Sequence, residues 1–289
     1  MKNIAIICSG GDVSGMNPAI KQFVEYSLKH NLTPYFVYDG YDGLIDNSIK
    51  KATYKDVTGI ITKGGTIIGS ARSKRFHQKE FRKIAKKNLD KVDIDTLVVL
   101  GGDGSFRGLE QFYKEHSIKF SAIPATIDND INGTDYSLGV DSALNIIKTA
   151  IDSIRDTAYS FKRAFVIETM GRDCGYLALV THLTSGSELY LIPEIPYNLE
   201  DYREKFQQEL KNGRRYFIAI VSEGIKQSSQ EIAQWFEKEI GIETRVTVLG
   251  HIQRGGNPTI YDRLMAYKFI TYAIDTLLSK RDHSVICYT

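Results

Sequence analysis

Long apolar runs are missing from this 289-residue chain: no stretch approaches the roughly 18 residues that a membrane span needs, and the run at residues 4–8 is too short for a signal sequence. Neither a membrane partner nor a targeting segment is expected, and the default compartment is the cytoplasm. Charge of one sign is missing too. Lys and Arg number 37 against 35 Asp and Glu, a balance that points to neither a nucleic-acid tail nor a membrane surface. Cysteine is scarce. Cys8, Cys174 and Cys287 are odd in number and widely separated, which argues against a disulfide framework or a metal cluster. Cys174 lies close to two arginines, but no histidine is near it in sequence, so a reactive thiol is not expected. Low-complexity segments and short repeats are absent, as are the dinucleotide fingerprint G-x-G-x-x-G and the P-loop G-x-x-x-x-G-K-[ST].

What is present is an alternation of short β-branched runs, glycine-rich turns and helical patterns. At this length two domains with a sizeable core are expected. Residues 3–8 read as a strand, 9–15 as a glycine loop and 17–30 as a helix, with Asn17 as its N-cap and Pro18 at its first turn. A strand, glycine loop and helix in that order can turn backbone N–H groups toward an anion, although many α/β domains open this way without binding one. Residues 34–38 read as a second strand and 39–43 as a turn-rich loop, in which Tyr41 could lie beside a purine or simply cap the loop. A second glycine-spaced stretch at 63–72 ends in Arg72, suited to a phosphate or to solvent. The basic run 74–87 reads as the wet face of a helix with Phe81 and Ile84 turned inward.

Residues 96–100 form the continuous apolar run of a parallel strand covered on both faces. They lead into Gly101, Gly102, Asp103, Gly104 and Ser105, and a helix is expected over 106–116. An acidic residue in a glycine loop at the carboxyl end of such a strand sits where open α/β sheets bind ligands. Asp103 cannot favour a bare phosphate, so its expected partner is Mg²⁺ bridging protein and nucleotide.

A strand at 120–124 delivers Pro124, Ala125, Thr126, Ile127, Asp128, Asn129 and Asp130. If that segment is extended, Asp128 and Asp130 point the same way and share one small volume, where one can take a proton while the other biases its pKa. The competing reading is an Asn/Asp-rich turn with solvated side chains.

The apolar spacing of Val140, Leu144, Ile147, Ile151 and Ile154 predicts a long amphipathic helix. A second succession follows, with strands at 164–169, 188–192, 216–221, 245–249 and 285–288. Ser228 and Glu231 form a capping box before a helix that buries Trp235, with Gly241 as its stop. Asn257 and Pro258 are expected to cap a long helix reaching about residue 279. Charged loops follow several of these strands, carrying Arg172, Glu223, His251 and Arg254. Cations for phosphate and a carboxylate for hydroxyls suit a phosphorylated polyol. Set against the nucleotide and metal group of the first half, they describe phosphoryl transfer to a sugar phosphate.

Six motifs occur in order: S-G-G-D-x-x-G-M-N at 9–17, G-S-A-R at 69–72, G-G-D-G-S at 101–105, T-I-D-N-D at 126–130, M-G-R-x-x-G at 170–175 and L-G-H-I-Q-R-G-G at 249–256. In these the chain resembles the bacterial ATP-dependent 6-phosphofructokinases. The resemblance implies an α/β fold of two Rossmann-like αβα domains with mostly parallel sheets and an active site in the cleft between them. Residues 1–138 would form the ATP-binding domain and 139–252 the sugar-phosphate domain. Residues 253–289 would return to the first, ending short of the usual family length without an expected terminal strand and helix.

The resemblance further implies transfer of the γ-phosphoryl of ATP to the 1-hydroxyl of fructose 6-phosphate, with Mg²⁺ held at Asp103. By motif, Asp128 is the base, with Asp130 and Thr126 beside it, and Arg172 neutralises the moving phosphoryl group. Gly11, Tyr41, Arg72, Ser73, Gly102, Asp103, Gly104 and Ser105 match nucleotide positions. Thr126, Ile127, Asp128, Met170, Gly171, Arg172, Glu223, His251 and Arg254 match substrate positions. Arg163 and Arg245 match arginines that reach the sugar phosphate from a neighbouring subunit, which implies a homotetramer.

Gly104 and Ala125 stand where pyrophosphate users carry aspartate and lysine, so ATP is the expected donor. Ser14 replaces the usual proline of the first loop and Ser73 the usual aromatic after Arg72. Lys21, Arg155 and Arg214 match an effector site, where Glu25 stands in place of a usual arginine. Two rival readings are a subunit that binds nucleotide without turnover and a lipid or NAD kinase. The latter families share a G-G-D-G loop but lack T-I-D-N-D and L-G-H-I-Q-R-G-G.

Overall fold

The computed structural model describes residues 2–289. Two compact units emerge. One runs up to Ile127 and adds Ile131–Ser142 and Arg254–Thr289; the other comprises Asp128–Asp130 and Ala143–Gln253. The chain therefore passes from one unit to the other directly inside the T-I-D-N-D motif.

In the first unit, chain order gives β1 (Asn3–Cys8), α1 (Met16–Lys29), β2 (Thr33–Val37), α2 (Gly40–Ile45), β3 (Ile49–Lys51), α3 (Lys79–Asp90), β4 (Ile94–Gly101), α4 (Asp103–His116) and β5 (Lys119–Pro124). Helix α5 (Val140–Phe161) begins here and continues into the second unit. That unit adds β6 (Ala164–Thr169), α6 (Tyr176–Ser185), β7 (Leu189–Leu191), α7 (Glu200–Lys211), β8 (Phe217–Ser222), α8 (Ser229–Trp235) and β9 (Thr244–Val248). The chain ends with α9 (Ile260–Leu278) and β10 (His283–Val285), back in the first unit.

The first sheet has the order β10-β5-β4-β1-β2-β3, parallel except for β3. Strand alternation divides its two cores. Ala5, Ile7, Leu97 and Val99 meet Tyr41, Leu44, Leu89 and Phe112 on one face, while α1 and α9 pair with each other through Gln22–Thr271 (3.1 Å) and Tyr26–Asp275 (2.8 Å). The second sheet, β7-β8-β6-β9, is wholly parallel. Its Val166, Phe217 and Ala219 pack on Phe206 of α7 and Phe236 after α8. Both sheets are Rossmann-like, with β-branched strands covered by amphipathic helices.

Several local expectations are corrected. Asn17 is not the N-cap of α1, which starts at Met16 after Gly15; its amide instead clamps the 63–67 loop, accepting from Ile67 N–H (2.7 Å) and donating to Gly64 C=O (2.9 Å). The loop expected at 39–43 is mostly helix α2, because Tyr41, Leu44 and Ile45 bury one face of a single turn. Ile84 points outward. Helix α3 turns Arg82, Ala85, Asn88 and Leu89 inward, since Arg82 finds Glu115 in a buried pair (2.7 Å). Thr259, not Asn257, caps α9 by accepting from Asp262 N–H. The Ser228–Glu231 capping box and the Gly241 stop, at φ +79°, are both as expected.

Asp262 is fully buried and closes the first unit. It accepts from Tyr136 Oη (2.6 Å), Gly139 N–H (2.6 Å), Ser142 N–H (2.8 Å) and Ser142 Oγ (2.6 Å), so a carboxylate sits at the positive start of α5. Burial, then the adjacent Asp262 charge, keeps the Tyr136 phenol protonated well above its usual range. No helix of the described residues is long and apolar enough to cross a membrane.

Candidate active site

Open parallel sheets bind ligands at the carboxyl ends of their strands, where the strand order reverses. In the first sheet that point lies between β1 and β4, and three of the sequence motifs meet there. Ser9 N–H donates to Leu100 C=O (2.9 Å), and Ser105 Oγ to Ser9 Oγ (2.9 Å). Gly10 and Ala71 are joined by a backbone bond (3.2 Å), and Ser70 Oγ donates to Gly10 C=O (2.9 Å). Gly11, the 69–72 stretch and the 101–105 loop thus form one structure. Gly102 caps α4, whose first residue is Asp103, one turn earlier than the spacing suggested. Helix α4 therefore starts directly from the strand end with its free N–H groups at the loop.

Tyr41 is buried rather than presented to solvent. Its ring stacks on Phe76 at 4.1 Å, and its hydroxyl donates to Ser105 C=O (2.7 Å). Its phenol is held protonated by burial, so its effect on a ligand runs through the loop it supports. Ser73 Oγ bonds Asp42 (2.7 Å) and accepts from Phe76 N–H (3.1 Å), fixing the start of that aromatic pair. Arg72 is exposed and, among the described residues, forms no ion pair. A Cβ on Gly104 would meet nothing within 4 Å, whereas one on Gly11 would lie 2.3 Å from Arg254 Nη1. Arg254, expected with the acceptor residues, lies against the first loop of its own unit. Ser14 Oγ donates to Gly255 C=O (2.8 Å), holding the 254–256 stretch from below.

Asp103 is exposed and pairs with Arg107 Nε (2.8 Å). A carboxylate at the mouth of the loop that already takes a cation fits Mg²⁺, which characteristically uses one or two carboxylates plus substrate phosphates. The described residues contain no three-carboxylate or His/Cys cluster, so Asp103 would be a single anchoring ligand.

In the second unit Asp128 is only 4% exposed, and Arg172 Nε lies 3.9 Å from its Oδ2. The segment is not extended. Ile127 and Asp128 form a turn and Asn129 is left-handed at φ +53°, which breaks strand alternation and leaves Asp130 exposed while Asp128 is buried. The two carboxylates therefore occupy different environments instead of sharing one. Thr126 and Ile127 close β5's end, where Ala125 N–H donates to Gly101 C=O (2.9 Å).

Arg172 follows β6 in a tight turn, with Gly171 at φ +141° and Arg172 itself at φ +52°. A left-handed arginine costs about 1–2 kcal/mol. The turn is held by side chains from neighbouring strand ends: Glu223 Oε1 accepts from Gly171 N–H (3.2 Å) and Arg172 N–H (2.9 Å), and Gln253 Oε1 accepts from Met170 N–H (3.2 Å). His251 is exposed beside them in a short helical turn, Gly250–Arg254. Sequence reading missed Gln253, although it sits inside the L-G-H-I-Q-R-G-G motif. It also missed Glu243, whose two carboxylate oxygens each hold one arginine, Arg163 (2.6 Å) and Arg245. Cys174 is half-buried and burial raises its thiol pKa, which suits a packing residue.

The expected effector cations are all engaged. Lys21 pairs with Glu25, Arg155 donates to Ser185 C=O and to Tyr216 Oη (3.1 Å), and Arg214 pairs with Glu188 (2.6 Å) and Glu209 (2.7 Å).

Two doubly wound α/β units, one with glycine loops around an acidic helix start and the other with a guarded arginine and a buried aspartate, define a phosphotransferase. The phosphofructokinase family model matches residues 3–277, and the chain belongs to that family. An ATP-dependent 6-phosphofructokinase of Sulfurimonas denitrificans is 70% identical over 289 residues, covering 100% of this chain and 91% of the relative. One from Sulfurovum is 63% identical, covering 100% and 88%. The structure of phosphofructokinase from Saccharomyces cerevisiae superposes with a TM-score of 0.92 at 35% identity over 96% of this chain. The chain spans 42% of that yeast polypeptide.

Proposed function

We propose that the chain transfers the γ-phosphoryl of ATP to the 1-hydroxyl of fructose 6-phosphate, giving fructose 1,6-bisphosphate and ADP. The observation that carries this is the buried Asp128 with Arg172 Nε 3.9 Å away on a turn clamped by Glu223. A carboxylate with little water around it is a competent acceptor for a hydroxyl proton. An arginine on a rigid turn stabilises negative charge spread over the transferring phosphoryl oxygens. Asp128 takes the 1-hydroxyl proton as the hydroxyl oxygen attacks phosphorus, and the bond to the ADP oxygen breaks. Asp130, exposed, orients the acceptor from the same segment.

The donor sits on the 102–105 loop, the start of α4, Gly11 and Arg72. Open space over Gly104 favours a nucleotide, because a pyrophosphate needs no room beyond its second phosphorus. Mg²⁺, held by Asp103, would neutralise phosphate charge when bound. Met170, Gly171, Glu223, His251 and Arg254 serve the sugar phosphate, with Glu223 keeping one oxygen for the turn and the other for a hydroxyl. Arg163 and Arg245 serve it from a neighbouring subunit of a homotetramer. Arg163 lies over the ring of the exposed Phe161 (4.8 Å) at the end of α5, and Arg245 is exposed on the edge strand β9, which ends at the exposed Val248. Such a patch suits self-association.

A coupled assay with fructose 6-phosphate and either ATP or pyrophosphate tests the reading on wild type and Asp128→Asn. ATP should support turnover, and the variant should lose at least about 10³ in kcat with the ATP KM little changed. Turnover with pyrophosphate outperforming ATP would overturn the donor, and no turnover with either would leave a nucleotide-binding subunit.

A further inference from the structure

The turn that carries Arg172 presents three consecutive backbone N–H groups, at Met170, Gly171 and Arg172, and none of them bonds to backbone. The second and third go to Glu223, on the loop after β8, and the first to Gln253 after β9. Gln253 is 1% exposed in a chain whose other glutamines are mostly at the surface. Its amide is used at both ends: Oε1 accepts from Met170 N–H (3.2 Å) and Nε2 donates to Gly250 C=O (2.9 Å). A buried carboxamide bridging two loops is costly unless both ends are satisfied, and here both are. Glu168 C=O, at the end of β6, also accepts from Leu249 N–H (3.0 Å), so the two loops are already adjacent at their bases. Gln253 then fixes their tips.

We infer that Gln253 is a positioning residue of the acceptor site: its carboxamide ties the 170–172 turn to the 249–251 loop and so sets where Arg172 and His251 present their side chains. The inference rests on the phosphofructokinase reading for what Arg172 does, but the tether itself is a matter of this unit's own geometry. No other buried side chain among the described residues bonds Met170 N–H. Without Gln253, Glu223 would be the one side chain among the described residues still accepting from the N–H groups of the 170–172 turn. Because both hydrogen bonds of the Gln253 carboxamide stay within its own unit, its loss should fall on acceptor chemistry and spare donor binding.

The experiment measures steady-state kinetics with ATP and fructose 6-phosphate, together with amide exchange at Met170, on wild type, Gln253→Leu and Gln253→Glu. Leucine keeps the volume but neither accepts nor donates. It should lower kcat about tenfold, leave the ATP KM within about twofold, and speed exchange of the Met170 N–H. Glutamate can accept and donate together only when protonated, and buried carboxyls protonate at unusually high pH. The ratio of Gln253→Glu to wild-type activity should therefore rise as pH falls from about 8 to about 6. A wild-type kcat in Gln253→Leu, or a flat ratio in Gln253→Glu, overturns the inference, as does unchanged Met170 exchange. Exchange needs no turnover, so an inactive wild type would sink the proposed activity while the exchange result still decided the tether.

Discussion

A Cβ added to Gly104 would meet nothing within 4 Å, while one added to Gly224 would lie 1.7 Å from the carbonyl oxygen of Arg172. The two glycines sit at corresponding places, just past the carboxyl ends of central parallel strands, and they do opposite work. At the ends of β1 and β4 the loops are joined by backbone pairing, Ser9 to Leu100 and Gly10 to Ala71, and by the Ser9, Ser70 and Ser105 hydroxyls, with the helix start of α4 left open. At the ends of β6, β8 and β9 similar backbone pairing, Glu223 to Thr169 and Leu249 to Glu168, is joined by the Glu223 and Gln253 side chains accepting the turn's N–H groups and by Gly224 pressed on Arg172. An anion wants bare N–H groups and room; a transition-state cation must be held still. At Gly104 the donor loop should therefore tolerate an addition that the acceptor loop at Gly224 cannot.

The widest gap is expected between Gly224→Ala and Gly104→Ala. In the first, the 170–172 turn must move to relieve a contact with backbone, and a shift of about 1 Å at a catalytic group can cost about 10² in rate. Gly224→Ala should lower kcat/KM for fructose 6-phosphate by about 10² or more, read by the coupled assay, with the unfolding midpoint in urea reported alongside. Gly104→Ala should stay within a few-fold of wild type. Equal losses in the two would erase the distinction between the loops.

Gly104→Asp sharpens the same contrast more gently. The protein itself has space for the side chain, so stability should be unchanged. The new carboxylate occupies room left for ligand and repels phosphate, and two like charges about 4 Å apart cost about 1 kcal/mol in water and more where water is excluded. The ATP KM should rise about tenfold, while that for fructose 6-phosphate stays level. A fall in melting temperature would show instead that the loop is packed against something at Gly104.

Much of this layout was legible in the chain. The runs at 3–8 and 96–100 are β1 and β4, mostly apolar stretches of strand length that the sheet buries on both faces, and 120–124 falls within β5. The period of α5 and the capping box of α8 were equally plain. What escaped needed partners far off in sequence. Arg82 turned α3 because Glu115 was there to receive it, displacing Ile84 to the surface. Asn17 became a loop clamp instead of a cap because the 63–67 loop lay over it. In the site, the motif marked Asp128 and Arg172, but strand alternation gave the wrong relation between Asp128 and Asp130. One left-handed residue, Asn129, is enough to undo a period of two. Gln253 was invisible for the same reason as Glu115: a buried amide announces itself only through the groups it satisfies.

The smallest effect concerns the basic side chains Lys21, Arg155 and Arg214, and it extends the comparison to cations that are not presented at all. Arg172 is held by its backbone and leaves its guanidinium largely exposed, with the edge of Asp128 at 3.9 Å. Lys21 is instead spent on Glu25 one helical turn away, Arg214 on Glu188 and Glu209, and Arg155 on a carbonyl and a phenol. An anion arriving at any of them must displace a carboxylate or an acceptor already in place, and a surface pair is worth only about 0–1 kcal/mol, so the obstacle is repulsion from the remaining Glu25 and Glu188 more than the broken pair. A nucleotide diphosphate brings more negative charge to that repulsion. Adding ADP should therefore leave the fructose 6-phosphate saturation curve where it is, within about twofold in half-saturation, and Glu25→Arg should be the change that lets ADP move it. Strong activation of the unmodified chain by ADP would mean that these pairs open readily, and that exposure of a guanidinium in the resting fold is no guide to which cations this protein offers to phosphate.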